Sequence, residues 1–131
     1  MALSASFLHR IAALAALAVF AFTAPSQAAG LQPAVQIEID HLFAYLADSA
    51  CRFNRNGTWY PAREAKDHLK KKLEYLVRKG LVSTTESFIE RAASKSSASG
   101  EPYLVECPGA SAIQSGPWFT SELLRFRRDG K

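Results

Sequence analysis

CRFNRNGTWYPAREAKDHLKKKLEYLVRK, residues 51–79, carries two different periodicities on either side of one proline. Before Pro61, Asn56-Gly57 sits between flanks of aromatic character, and both residues tolerate positive φ, the requirement of a two-residue hairpin turn. With those two as the loop, Phe53 falls opposite Tyr60, and Cys51, two residues from Phe53, shares its face. After the proline the repeat lengthens. Ala65, Leu69, Leu73, Leu76 and Val77 form an apolar stripe at helical spacing, with Lys66, Lys70, Lys71, Arg78 and Lys79 largely off it. Pro61 suits the first helical position and Gly80 lies just past the last periodic residue, so a hairpin feeds a long amphipathic helix. Cations towards the C-terminal end complement the helix dipole, which is the plain explanation of the lysine run.

Working outward, Val35, Ile39, Leu42 and Leu46 predict a first amphipathic helix over residues 35–47, with Glu38 and Asp40 in its first turn and His41 as a structural residue at its edge. On the other side, Ser83 and Glu86 fit a capping box opening a short helix that carries Phe88, Ile89, Ala92 and Ala93. The serine-rich residues 94–102 form a loop. Tyr103, Val105 and Cys107 then alternate as a strand; if it lies alongside the hairpin, Cys51 and Cys107 can meet. Residues 108–116 read as a further loop. From Pro117 a last helix places Phe119, Leu123 and Phe126 at helical spacing and ends in an Arg-rich, frayed tail. The expected fold is α+β: a small antiparallel sheet, hairpin plus one strand, with about four helices and one disulfide.

Residues 1–28 read as a cleaved signal peptide: His9 and Arg10, an apolar run over residues 11–22, and a Ser26-Gln27-Ala28 cleavage site. The apolar run is well short of the roughly 20 residues that span a bilayer. No transmembrane segment is expected after cleavage. Residues 29–131 are enough for a single α+β domain, and a monomer is the expected state. The two cysteines both survive cleavage, and an even count in an exported chain points to a Cys51–Cys107 disulfide. Closing so long a loop contributes roughly 4 kcal/mol in the chain-entropy model. The chain is mildly basic, with 16 Lys plus Arg against 12 Asp plus Glu. Export to the periplasm makes nucleic acid an improbable partner and favours anionic envelope surfaces.

Three features bear on chemistry. Glu64, His68 and Lys72 recur every four residues, so they share one helix face at the edge of the apolar stripe. A metal site is not expected, because His41 is the only other imidazole in the mature chain and nothing fixes a third ligand; no cofactor is indicated either. Ser96-Ser97-Ala98-Ser99-Gly100, with Lys95 beside it, offers hydroxyls and a flexible backbone for an anion cradle, against the alternative of a flexible linker. Arg55, next to a tight turn, presents a fork donor suited to carboxylate or phosphate.

Four ordered blocks, Phe53-x-Arg55-Asn56-Gly57, Glu64-Ala65-x-x-His68-Leu69-x-x-Lys72, Thr84-x-Glu86-x-Phe88-Ile89 and Ser96-Ser97-x-Ser99-Gly100-x-Pro102-Tyr103, resemble the YfeK-like family of small exported proteobacterial proteins. Asn54 stands where that pattern has an aliphatic residue, and Thr85 where it has alanine. The resemblance implies an envelope location and a shared polar set, but no activity. Candidate ligand-binding residues are therefore Arg55, Asn56 and Gly57 on the hairpin, His68 and Lys72 on the helix, and Lys95, Ser96, Ser97, Ser99, Gly100 and Tyr103 around the loop. The favoured function is a non-catalytic binding module for an anionic envelope ligand or protein partner. Two alternatives stand beside it: a small hydrolase using His68 as base, oriented by Glu64, with Ser97 or Ser99 as nucleophile, and a purely structural envelope protein.

Overall fold

The computed structural model describes residues 30–130; the signal-peptide expectation for residues 1–28 lies outside the described residues. The chain runs α1 (Pro33–Asp48), β1 (Arg52–Arg55), β2 (Thr58–Pro61), α2 (Ala62–Arg78), α3 (Thr85–Phe88) continued by a π-helical turn (Ile89–Ala93), β3 (Leu104–Glu106), β4 (Ile113–Gln114) and α4 (Ser115–Asp129). It is an α+β fold with a four-stranded antiparallel sheet in the order β2-β1-β3-β4. No described helix is long and apolar enough to cross a membrane.

The hairpin forms in the expected register, Phe53 opposite Tyr60. Asn56 and Gly57 supply φ of 52° and 84°, the left-handed pair that a two-residue turn between twisted strands requires. Pairing runs straight through Asn54, which faces Trp59 on one side and Leu104 on the other. β3 lies alongside β1, and Cys51 and Cys107 are joined in a disulfide just beyond the paired segment.

The core fills the space between the sheet and the helices. Ile39, Leu42 and Leu46 of α1, Phe53 and Val105 of the sheet, Leu69 and Leu73 of α2, Phe88 and Ile89, and Phe119 and Leu123 of α4 are all buried in one cluster. Trp118 meets Phe53 and Phe119 edge-on, at ring-centroid distances of 5.4 and 4.9 Å.

Several local expectations need correction. The sheet has a fourth strand inside residues 108–116: Gly109 turns the chain at φ 75°, and Ile113 and Gln114 return to pair with Val105 and Leu104. α1 begins at Pro33, so Glu38 lies beyond the first turn, where it receives Arg127 of α4 instead of capping its own helix. The box that opens α3 is Thr84 with Ser87. Thr84 Oγ1 accepts from Ser87 N–H and Ser87 Oγ accepts from Thr84 N–H, both at 3.0 Å, while Glu86 receives Arg127. Pro61 caps α2 from outside, and α4 starts at Ser115, two residues before Pro117. The Arg-rich end of α4 is held by ion pairs from Arg125 to Glu122 and Asp129, and from Arg127 to Glu38 and Glu86.

α3 passes into the π turn without breaking, and Ser94 Oγ donates to the Ile89 carbonyl at 2.6 Å. The extra residue in that turn brings Ser94 against the start of α4. Gly116 is needed there, since a Cβ at that position would lie 2.6 Å from Ser94 Oγ. Ser115, buried beside it, donates its hydroxyl to the Ala93 carbonyl and its N–H to the Tyr103 carbonyl. These contacts fix where loop 94–102 leaves the core and hence where Tyr103 enters the site.

Candidate functional site

Three elements converge on one spot because the hairpin tip, the first half of α2 and the loop before β3 all lie at the same end of the sheet. Arg55, the last residue of β1, reaches across to α2, where its Nη1 donates to His68 Nδ1 at 2.5 Å, while Nη2 donates to Tyr60 Oη at 3.3 Å. The guanidinium also lies over the Tyr60 ring, 4.9 Å from its centroid. His68 Nε2 lies 3.3 Å from Tyr103 Oη. One helical turn on, Lys72 donates to the Lys95 carbonyl at 2.8 Å and to Tyr103 Oη at 3.4 Å.

The proton positions follow from the chemistry of the partners. Arginine has only donors, so Nδ1 of His68 must accept, and a neutral imidazole then carries its hydrogen on Nε2 and donates to Tyr103. Burial, and then the positive charges of Arg55, Lys72 and Lys71, hold the imidazole pKa below its ordinary 6.5. Burial is also the main cause pulling Lys72 down to about 8, with Arg55 and Lys95 adding to it. Desolvation pushes the Tyr103 phenol up. The cluster is therefore Arg⁺, neutral His, neutral Tyr and a readily deprotonated Lys. Among the described residues, neither Arg55 nor Lys72 pairs with a carboxylate.

The serine loop is ordered by its own hydroxyls. Ser96, only 4% exposed, accepts on Oγ from the N–H groups of Ala98 and Ser99 and from Asn56 Nδ2. Gly100 N–H donates to the Ser96 carbonyl and Glu101 N–H to Ser99 Oγ. Asn56 closes the clasp from the hairpin by accepting from Ser99 Oγ at 2.6 Å. These amide groups thus face into the loop, and exposed Ser97 lines the outer groove beside Ser96.

Two clefts flank the Arg55–His68–Tyr103 row. The inner one encloses about 300 Å³ over Phe53, Leu69 and Phe119, with Tyr60, Glu64, Asp67 and Lys71 on its walls. The outer groove, about 630 Å³, runs past Lys72, Tyr75 and Ser97. Of the residues singled out in the sequence, Arg55, His68, Lys72 and Tyr103 form the row, Asn56, Ser96 and Ser99 brace it, and Lys95 contributes its carbonyl. Gly57 and Gly100 serve turns, both at positive φ. Glu64 is exposed at the rim and is no partner of His68.

Sequence reasoning missed Tyr60, Asp67 and Lys71. The signal for Tyr60 was available, since the register that pairs it with Phe53 also brings it near Arg55. Lys71 belongs to the lysine run that the helix dipole already explains, and only the packing of the hairpin places it on the cleft wall.

No curated protein and no solved structure matches the chain. A model of DUF5329, a family of unknown function, matches residues 33–127, from the first residue of α1 to the last turn of α4. That match spans the sheet, the clasp and the Arg55–His68–Tyr103 row together, and the chain belongs to the DUF5329 family.

Proposed function

We propose that this protein is a non-catalytic periplasmic binding module that holds an anionic group of an envelope ligand or protein partner at Arg55 and Lys72. The observation that carries this reading is the unpaired charge: two cations, both partly withdrawn from water, converge with no salt bridge to a carboxylate among the described residues. Burying unpaired charge is costly, and a bound anion offsets that cost. Two of the five guanidinium N–H donors of Arg55 are engaged by His68 and Tyr60, leaving three for a carboxylate or phosphate oxygen. Ser97 adds a hydroxyl on the outer side.

The disulfide supports an oxidising compartment, and the resemblance to YfeK-like exported proteins supports the same location, reached through the signal peptide of residues 1–28. The hydrolase alternative has less support. His68 Nδ1 is occupied by Arg55 and its Nε2 carries a proton, so no free basic nitrogen faces a serine, and Ser99 donates to Asn56.

Thermal unfolding of the oxidised mature protein with inorganic phosphate, acetate, peptidoglycan fragments and short peptides tests the reading. A ligand at about a hundredfold its Kd adds roughly 2.7 kcal/mol, which lifts the midpoint of a domain this size by at least about 10 °C. The expected result is a rise with an anionic class that Arg55→Ala abolishes. A rise unaffected by that substitution, or none with any anion, overturns the proposal.

A further inference from the structure

The inner cleft carries both signs of charge. Arg55 and Lys71 line it together with Glu64 and Asp67, which α2 presents one turn apart on the face that also bears His68. Among the described residues, neither Glu64 nor Asp67 forms a salt bridge, and Arg55 has none either. A simple anion here would satisfy Arg55 while facing two like charges, and a simple cation would do the reverse.

Tyr103 makes an independent demand on the occupant. It is 6% exposed and lines the cleft. Its oxygen receives the His68 Nε2 hydrogen and the Lys72 ammonium, so its own O–H must point in a third direction, and no acceptor for it exists among the described residues. A buried hydroxyl donor without an acceptor on the wall of a cleft calls for an acceptor oxygen on the ligand. The floor of Phe53, Leu69 and Phe119 offers nothing polar, and the space of about 300 Å³ is at the small end of ligand pockets.

We infer that the inner cleft takes a zwitterion with a compact apolar side group: its carboxylate on Arg55 and the Tyr103 O–H, its ammonium towards Glu64 and Asp67, its side group on Phe53, Leu69 and Phe119. The inference rests on the anion-binding reading of the same site and narrows it. A free apolar amino acid and a dipeptide, whose two termini supply the ammonium and the carboxylate, share this chemistry.

Calorimetric titration of the mature protein at pH 7 separates the possibilities. The probes are phenylalanine, 3-phenylpropionate, which lacks the ammonium, 2-phenylethylamine, which lacks the carboxylate, the dipeptide alanyl-phenylalanine, and inorganic phosphate. The expected result is that phenylalanine or the dipeptide binds roughly tenfold or more tightly than either half-molecule. The tighter of the two names the source. A Glu64→Gln/Asp67→Asn double variant brings the zwitterion down to the phenylpropionate affinity without weakening phenylpropionate, and Tyr103→Phe weakens phenylpropionate but not phenylethylamine. Phenylpropionate or phosphate binding as tightly as phenylalanine, and losing that binding in Arg55→Ala, overturns the zwitterion and leaves the anion site standing. No Arg55-dependent binding of any probe overturns both.

Discussion

Two polar clusters flank the core, and they are built on opposite rules. Between α1, α3 and α4, Arg125 and Arg127 each have carboxylate partners. Arg127 bridges Glu38 and Glu86, Thr85 donates to Glu38, and Glu122, 4% exposed, receives both Arg125 and His41 at 2.6 Å. His41 also stacks on Phe126, with ring centroids 4.0 Å apart. At the hairpin end, Arg55 and Lys72 lean on a neutral imidazole, a phenol and a carbonyl. A closed network holds helices together and leaves nothing over; an open one keeps donors and charge in reserve at some cost to the fold.

Removing a partner from the closed cluster gives the largest effect. Glu122→Ala leaves His41 and Arg125 without their shared acceptor, and urea unfolding is expected to record a loss on the order of 2 to 3 kcal/mol. A loss within about 0.5 kcal/mol would show that this cluster is no glue and would erase the contrast. Arg127→Met comes next, at about 1 kcal/mol, because its pairs are partly exposed and screened by solvent.

Titration sharpens the same contrast with smaller changes. Glu38, Glu86 and Glu122 are depressed, chiefly by hydrogen bonds from their arginines, so the stability they contribute is present above the ordinary carboxylate value of 4.5 and is lost as pH falls below it. The open cluster acts elsewhere. His68 resists protonation when folded, so the unfolded chain takes up the proton first, and stability falls as pH drops below 6.5. Lys72 gives up its proton near pH 8 when folded but near 10.5 when unfolded, so stability rises with pH across that interval. Denaturant midpoints across the pH range are expected to show these windows, with His68→Gln removing the first and Lys72→Met the alkaline rise.

The smallest effect on stability is the most telling. Arg55→Met is expected to stay within about 0.5 kcal/mol of the parent at neutral pH, because two lost hydrogen bonds are offset by removal of an unpaired charge. The same substitution raises the Lys72 pKa, measurable by NMR titration. A loss of more than about 2 kcal/mol would put Arg55 among the structural residues.

The hairpin register and the disulfide were legible in the sequence because each rests on local chemistry: a turn that only Asn-Gly-like pairs tolerate, and a strand period of two on both sides of it. The two-residue strand β4 is too short to carry a period, and the π turn at Ile89–Ala93 looks like ordinary helix in sequence. Arg127 with Glu38 joins residues 89 apart, a pairing that no local pattern announces. For the site, the polar residues were readable as a set, whereas the state of His68 was not. Its neutrality depends on Arg55 lying against Nδ1, which is a fact of tertiary geometry.

β1 and β3 are fastened to each other in two unlike ways. Beyond one end of their pairing stands the covalent Cys51–Cys107 link; at the other, where both clefts open, Asn56 holds the serine loop through two hydrogen bonds. The sheet is thus hinged like a clothes peg. Opening of this pair is expected at the jaws, with the stapled end returning them to register, so in a hydrogen-exchange measurement backbone amides near Arg55 are expected to exchange sooner than those near Arg52.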